Sequence, residues 1–162
     1  MRSLAYSMTI VAVLLCLSAS ADAVGQMPFE LTIKGPESVT IGNEINVNAV
    51  LKNISKRTVS VTKGLPYAVF VRDSSGRTIQ KKPGQWVYFG SAEVVSLGPG
   101  NISVQNVIVS GKYGDYDLTK PGKYVVRLQR AMGDAGYPKG AMLESNEITI
   151  TVLPKKAHGV NR

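Results

Sequence analysis

Apolar residues alternate with polar ones at a period of two along most of this chain, and this period constrains the fold more than any other feature. In the run 29–34, Phe29, Leu31 and Ile33 occupy every second position between polar residues. The same alternation returns in the runs 45–51, 59–61, 124–128 and 148–152. Successive side chains of a strand point to opposite faces, so the pattern predicts strands with one buried and one solvent-facing side. No helical period appears after residue 23.

Short segments rich in glycine, proline, asparagine and aspartate separate these runs. They are 34–36, 41–43, 73–76, 82–84, 97–100 and 120–122. The segment 73–76 predicts a hairpin turn between 68–72 and 77–80. Many short strands without helices favour a sandwich or a barrel. Within 102–109 the apolar positions change parity at Gln105 and Asn106, which predicts a β-bulge there.

The segment 117–124 favours an immunoglobulin-like sandwich over a barrel. It combines Leu118, the turn residues Pro121 and Gly122, and Tyr124 at the start of a strand. A tyrosine corner needs these features, because the tyrosine hydroxyl bonds to backbone a few residues upstream. The alternative is a plain tight turn before a strand. The sequence therefore predicts an all-β, immunoglobulin-like antiparallel β-sandwich of about seven to nine strands over residues 24–154.

The strand and turn segments also resemble a known type of domain. The segments 47–53, 56–61, 71–76, 95–100 and 121–126 are similar to the small bacterial immunoglobulin-like domains that include the intracellular proteinase inhibitor family. The likeness spans most of residues 44–130. It implies an immunoglobulin-like fold and raises proteinase inhibition as a hypothesis. No inhibitory-loop signature can be placed on a residue of this chain, and predicted export sets it apart from that family.

The first 23 residues have the pattern of a cleaved signal peptide. Arg2 precedes an apolar run over 8–17, and Ala21 and Ala23 supply the small residues of a cleavage site. The run is short of the ~20 apolar residues that a bilayer span needs. Lipidation at Cys16 is the weaker alternative, because Leu15 precedes it where a small residue is expected. The chain is therefore predicted to be secreted or periplasmic and not membrane-spanning, with a disordered basic tail over 155–162.

Catalytic and metal-binding groups are scarce in the sequence. The one cysteine is Cys16 in the leader, and the one histidine is His158 in the tail. This disfavours histidine-dependent catalysis and zinc binding, so we expect no enzymatic activity, no cofactor and no metal. Asp115 and Asp117, with Asp134, offer an acidic pair or calcium ligands as alternatives. Local turn-forming roles account better for these aspartates.

Five residues are the candidate binding residues. Asp134, Tyr137 and Lys139 lie in the loop 132–140, at an end of the sandwich where related folds place recognition loops. Trp86 and Tyr88 share a strand face and offer a stacking platform for a sugar or a base, with core packing as the favoured alternative.

The function that we expect is that of a non-enzymatic, exported binding or accessory domain acting through sandwich-end loops. The partner would be another protein or a cell-envelope component. The alternatives are a proteinase inhibitor and a carbohydrate- or polyanion-binding module. The net charge of +8 allows an anionic polymer. Its lysines and arginines are scattered, so no specific nucleic acid is expected. The segments 53–55 and 101–103 fit the N-glycosylation pattern, which matters only in a eukaryotic secretory pathway.

Overall fold

The fold is known from a computed structural model, which describes residues 27–83, 92–133 and 140–155. These residues form ten strands. They are β1 (Phe29–Lys34), β2 (Ser38–Thr40), β3 (Ile45–Asn53), β4 (Val59–Lys63), β5 (Ala68–Asp73), β6 (Glu93–Leu97), β7 (Ile102–Ser110), β8 (Gly122–Ala131), β9 (Met142–Glu144) and β10 (Ile148–Leu153). All five alternating runs lie in strands, as predicted. Within the described ranges, no helix is long and apolar enough to cross a membrane.

The strands form two main sheets and a small ribbon. The first sheet has the order β1-β3-β7, and the second has the order β2-β10-β8-β5 with β9 also paired to β8. The ribbon consists of β4 and β6. Neighbouring strands are antiparallel except for β2 and β10. That parallel pair differs from the prediction, and it arises because the chain leaves the first sheet after Lys34 and enters the second beside the last strand.

The core lies between the two main sheets. Leu31 and Ala49 of the first sheet and Val71, Val126 and Ile150 of the second belong to one buried cluster. Strands β1 and β3 each bury every second residue, as the alternation predicts. The all-β sandwich is therefore confirmed. Eight of the ten strands have five residues or more, while β2 and β9 have three each.

The predicted tyrosine corner is present at the start of β8. The Tyr124 hydroxyl donates to the main-chain oxygen of Lys120 at 2.9 Å. Leu118 and Tyr124 are both buried at this end of the core. The corner fixes the path by which the chain enters β8.

The predicted hairpin turn after β5 is also present. Gly76 has a φ of 83°, a left-handed value that favours glycine, and its amide donates to the main-chain oxygen of Asp73. The Asp73 carboxylate accepts from the amides of Ser75 and Arg77 and from the Ser75 hydroxyl. These hydrogen bonds hold the pKa of the Asp73 carboxyl below its usual value, and the bond from the Ser75 hydroxyl has the largest effect.

The predicted β-bulge at Gln105 and Asn106 is wrong. The pairing of β7 with β3 runs unbroken through these residues, and the register shifts only between Ile45 and Asn46 at the far end. The apolar positions change parity because Ile102 and Val104 face solvent while Gln105 points inward. The Gln105 amide nitrogen donates to the Leu65 carbonyl at 3.1 Å, which satisfies this polar group.

Candidate functional site

The outer edge of β5 is covered by other parts of the chain. The Val69 carbonyl on this edge accepts a hydrogen bond from the Tyr116 hydroxyl at 2.7 Å. The Val71 carbonyl accepts from the amide of Ile79, in the arm that returns from the hairpin turn, at 2.9 Å. The edge of β5 therefore offers no row of free groups to another strand.

The outer edge of β1 is covered by the connection between β9 and β10. The Ile33 amide donates to the Asn146 side-chain oxygen at 2.7 Å, and the Asn146 side-chain nitrogen donates to the Ile33 carbonyl at 3.3 Å. Leu31 forms an isolated parallel bridge with Ser145. The Asn146 amide thus takes the place of a neighbouring strand.

Among the described residues, no other segment pairs with the outward main-chain groups of β7 over residues 102–108. The Asn53 amide donates to the Asn101 carbonyl at 3.0 Å, so the odd-numbered residues of β3 bond toward β7. Bonded and non-bonded pairs alternate in an antiparallel ladder, so Ser103, Gln105 and Val107 bond to β3. The even-numbered residues 102–108 direct their N–H and C=O groups away from the sheet. We call residues 102–108 the β7 open edge.

The β7 open edge is uncharged, and two of its outward side chains are exposed and apolar. The side chains of Ile102 and Val104 are 55% and 46% exposed. On the adjacent strand, Val50 pairs with Val104 and extends the apolar surface. Proteins commonly protect an exposed edge with charged residues, proline or a covering segment. Residues 102–110 contain neither a charged residue nor a proline.

The outer face of the second sheet carries two ion pairs around an apolar centre. Arg127 pairs with Glu144 at 2.6 Å and lies 5.4 Å from the centre of the Phe70 ring. Arg72 pairs with Glu147 at 2.5 Å. Phe70 and both arginines line a hollow of about 180 Å³. Each charge in this hollow has an internal partner, so the face does not by itself select a charged ligand.

A larger groove of about 500 Å³ lies beside the turn between β3 and β4. Its lining includes Met27, Ile54 and Arg57. The turn is held by Asn53, whose side-chain nitrogen donates to the carbonyls of Arg57 and Leu97 at 2.7 and 2.8 Å. Asn53 is fully buried, so the N-glycosylation pattern 53–55 is inaccessible to a modifying enzyme in the folded chain. Asn101, in the pattern 101–103, is exposed.

The five binding residues predicted from sequence, Asp134, Tyr137, Lys139, Trp86 and Tyr88, all lie outside the described residues, and their roles stay predictions. The same holds for the leader 1–23 and for residues 156–162 of the tail.

The aspartates of the β7–β8 connection are placed by the structure. Asp115 forms an ion pair with Lys81 at 2.9 Å, and Asp117 is exposed. Lys82 donates to the Gly111 carbonyl at 2.7 Å. Lys81 and Lys82 are thus both bonded to this connection. In the part of the chain that the structure describes, no three histidine, cysteine or acidic side chains are grouped to hold a metal.

Comparison with known proteins gives fold-level likenesses only. No family model matches the chain, and no curated protein matches it. The CARDB domain of a Pyrococcus furiosus protein, solved in complex with di-metal ions, is 16% identical over 78% of this chain and 94% of that domain, with a TM-score of 0.43. A solution structure of the same domain is 17% identical with a TM-score of 0.42. A Listeria innocua β-glucosidase in complex with laminaribiose is 17% identical over 77% of this chain but only 16% of the enzyme, with a TM-score of 0.43.

The class of this protein follows from its own strand arrangement. Two sheets enclose one core, the first strand is split between them as β1 and β2, and Tyr124 forms the tyrosine corner. These features define an immunoglobulin-like β-sandwich. Membership of the proteinase inhibitor family, which the sequence resemblance raised, is not supported by any of the matches.

Sequence reasoning missed the β7 open edge, although a signal for it was present. A change of parity of the apolar positions in 102–109 can arise in two ways, from a β-bulge or from apolar side chains that face solvent. The two give the same sequence pattern. Only the pairing register of β7 with β3, which is unbroken through Gln105 and Asn106, distinguishes them.

Proposed function

We propose that this protein is a non-enzymatic binding or accessory domain, exported from a bacterial cell, that recognises another polypeptide by adding a strand to the β7 open edge. The observation that carries the proposal is the outer edge of β7, which pairs with no strand in the ranges 27–83, 92–133 and 140–155 and has Ile102 and Val104 exposed on it. An edge of this kind is a template for strand addition.

The chemistry of the edge indicates what it would select. In strand addition, main-chain hydrogen bonds supply affinity and side chains at alternate positions supply specificity. Ile102 and Val104 would lie beside every second side chain of the added strand, and β-branched or aromatic residues pair best with them. The expected ligand segment is therefore extended, apolar at alternate positions and free of proline at the positions that donate to β7.

Export is part of the proposal and rests on the leader. Arg2, the apolar run 8–17 and the small residues Ala21 and Ala23 support cleavage after residue 23. The chain that remains would contain no cysteine, so the core alone must stabilise it. Amino-terminal sequencing of protein recovered from the periplasm should begin at Val24, and an intact Met1 terminus would contradict this part.

The two alternative functions remain predictions. Proteinase inhibition rests on the loop 132–140, and carbohydrate or polyanion binding rests on Trp86 and Tyr88. Strand addition is the proposal that described residues support, because Ile102 and Val104 are exposed on an edge strand. Robust hydrolytic turnover by the purified protein would contradict the non-enzymatic part of the proposal.

A pair of matched variants tests the binding edge. Val104→Lys places a charge on the open edge, and Thr32→Lys places the same charge on the same face of the same sheet, beside the covered edge of β1. Val50 of β3 pairs with Thr32 on one side and with Val104 on the other, so the two positions lie on one face of the sheet. Proteins captured from periplasmic extract by the wild type should be retained by Thr32→Lys and lost with Val104→Lys. Equal capture by all three proteins would overturn the proposed edge.

A further inference from the structure

We infer that the strand which the β7 open edge accepts is β7 of a second copy of this chain, paired antiparallel about a two-fold axis. The inference rests on the proposed function, because it names the partner of the same edge. Its basis is the self-complementarity of residues 102–108.

The free hydrogen-bonding groups restrict which residues can pair, and the contact between Ile102 and Ile108 selects the register. Only the even-numbered residues of β7 direct main-chain groups outward, so bonded pairs across the axis must join even-numbered residues. With the axis at Gln105, Val104 lies opposite Asn106 of the second copy, and Ile102 lies opposite Ile108. Each exposed isoleucine then gains an apolar neighbour across the new ladder, in the arrangement that stabilises antiparallel strands.

The charge distribution permits this pairing despite a net charge of +8 on each copy. Residues 102–110 carry no charge, so no like charges meet along the ladder. The nearest cation on the same face is Lys52, which pairs with Ile102 on β3. Strand spacing and rise place the two Lys52 residues ~25 Å apart, well beyond the screening length of ~8 Å at physiological salt. The uncharged strand therefore allows two copies to pair without like charges meeting along the ladder.

The dimer should be weak and concentration-dependent. One pair of nine-residue strands buries less than the ~800 Å² per partner of a standard stable interface. Joining the first sheets at β7 leaves both outer faces of the second sheets free. Each dimer would therefore present the hollow around Phe70 twice, as a bivalent surface.

Sedimentation of the purified wild type, Val104→Lys and Thr32→Lys over a range of concentrations tests the inference. The wild type and Thr32→Lys should shift from monomer to dimer with the same midpoint. In Val104→Lys the Cα atoms of the two introduced lysines lie diagonally, ~7–8 Å apart, so their positive charges face each other on one side of the ladder. We expect the dimer dissociation constant to rise by about tenfold or more, and tenfold corresponds to ~1.4 kcal/mol.

A disulfide trap tests the register. Val104→Cys combined with Asn106→Cys, in a Cys16→Ser background, places thiols opposite each other across the axis at the Cα separation of a bonded pair, ~5.5 Å, which suits a disulfide. Oxidation should yield a covalent dimer. The control Thr32→Cys with Lys34→Cys, at the same spacing on β1, should remain monomeric.

A wild type that remains monomeric, or a Val104→Lys variant that dimerises as tightly as the wild type, would overturn the inference. Monomeric protein whose capture of other proteins is still lost with Val104→Lys would overturn the inference and leave the proposed function standing. Monomeric protein without edge-dependent capture would overturn both.

Discussion

The hydroxyl of Tyr116 donates to the main-chain oxygen of Val69, 2.7 Å away on the outer edge of β5. Tyr116 lies in the β7–β8 connection and is buried, and Val69 lies on the edge strand β5. The bond satisfies an edge carbonyl that would otherwise be unpaired in an apolar setting. Tyr116 thus covers part of the edge of β5, whereas no described segment pairs with the outer edge of β7.

Tyr116→Phe should lower the free energy of unfolding by about 1–2 kcal/mol. The ring still fills its place in the core, but the Val69 carbonyl loses its donor while remaining buried. Urea denaturation should show a lower midpoint with an unchanged slope. A midpoint equal to that of the wild type would show that water or another group replaces the hydroxyl.

The same tyrosine predicts how stability changes at alkaline pH. Burial, and then the negative charge of Asp115, raise the pKa of Tyr116 to about 12, against about 10 in the unfolded chain. Between these values the unfolded chain loses the proton that the folded chain keeps, so the free energy of unfolding must fall as pH rises through this window. Burial also raises the pKa of Tyr124, which adds to the fall. Denaturation at pH 9, 10 and 11 should show a smaller decline for Tyr116→Phe than for the wild type, and equal declines would contradict the assignment.

Asn53→Asp should be among the most destabilising single polar changes in the sandwich. The Asn53 side-chain nitrogen donates to the carbonyls of Arg57 and Leu97, and a carboxylate would instead place an acceptor against both. We expect a loss of about 2–4 kcal/mol, as for a buried polar group with unmatched partners. The matched control is Asn101→Asp, in the same Asn-Ile-Ser sequence but exposed, which should change stability by less than ~0.5 kcal/mol. Similar thermal midpoints for the two variants would refute the role assigned to Asn53.

Gly114→Ala should disrupt the contact between the β7–β8 connection and the end of β7. A Cβ atom at Gly114 would lie 2.6 Å from the Ser110 amide nitrogen and 2.7 Å from the Val109 carbonyl carbon, and neither backbone atom can move freely. We expect a cost of about 1–3 kcal/mol from overpacking. Gly133→Ala, where nothing lies within 4 Å of the added atom, is the control and should be nearly neutral. Equal thermal midpoints for Gly114→Ala and the wild type would show that the connection can shift to admit the methyl group.

Most of the strands that sequence alternation revealed bury several residues of one face. Strands β1, β3, β8 and β10 each carry several buried apolar residues at alternate positions, which is the pattern that a period of two detects. Strands β2 and β9 have only three residues each, too few to display a period. The tyrosine corner was predictable because its chemistry lies within a few consecutive residues.

The β7 open edge was not predictable in the same way, because an edge is a property of strand order. Ile102 and Val104 alternate with other residues as in any strand, but they lie on the face that points to solvent. The local sequence does not record which strand lies at the end of the sheet. The covering of β5 by Tyr116 and of β1 by Asn146 likewise joins residues far apart in the chain. Gln105 is a polar residue that points inward. Its hydrogen-bond partners, Gly64 and Leu65, come close to it only when the chain is folded.

Residue-resolved hydrogen exchange along β7 tests the central claim most directly. In dilute protein the amides of Ile102, Val104, Asn106 and Ile108 should exchange rapidly, because they point away from the sheet. Those of Ser103, Gln105 and Val107, bonded to β3, should be strongly protected. Adding unlabelled protein to high concentration should slow exchange at the even positions selectively. Even and odd positions that are equally protected in dilute protein would contradict an open edge on β7.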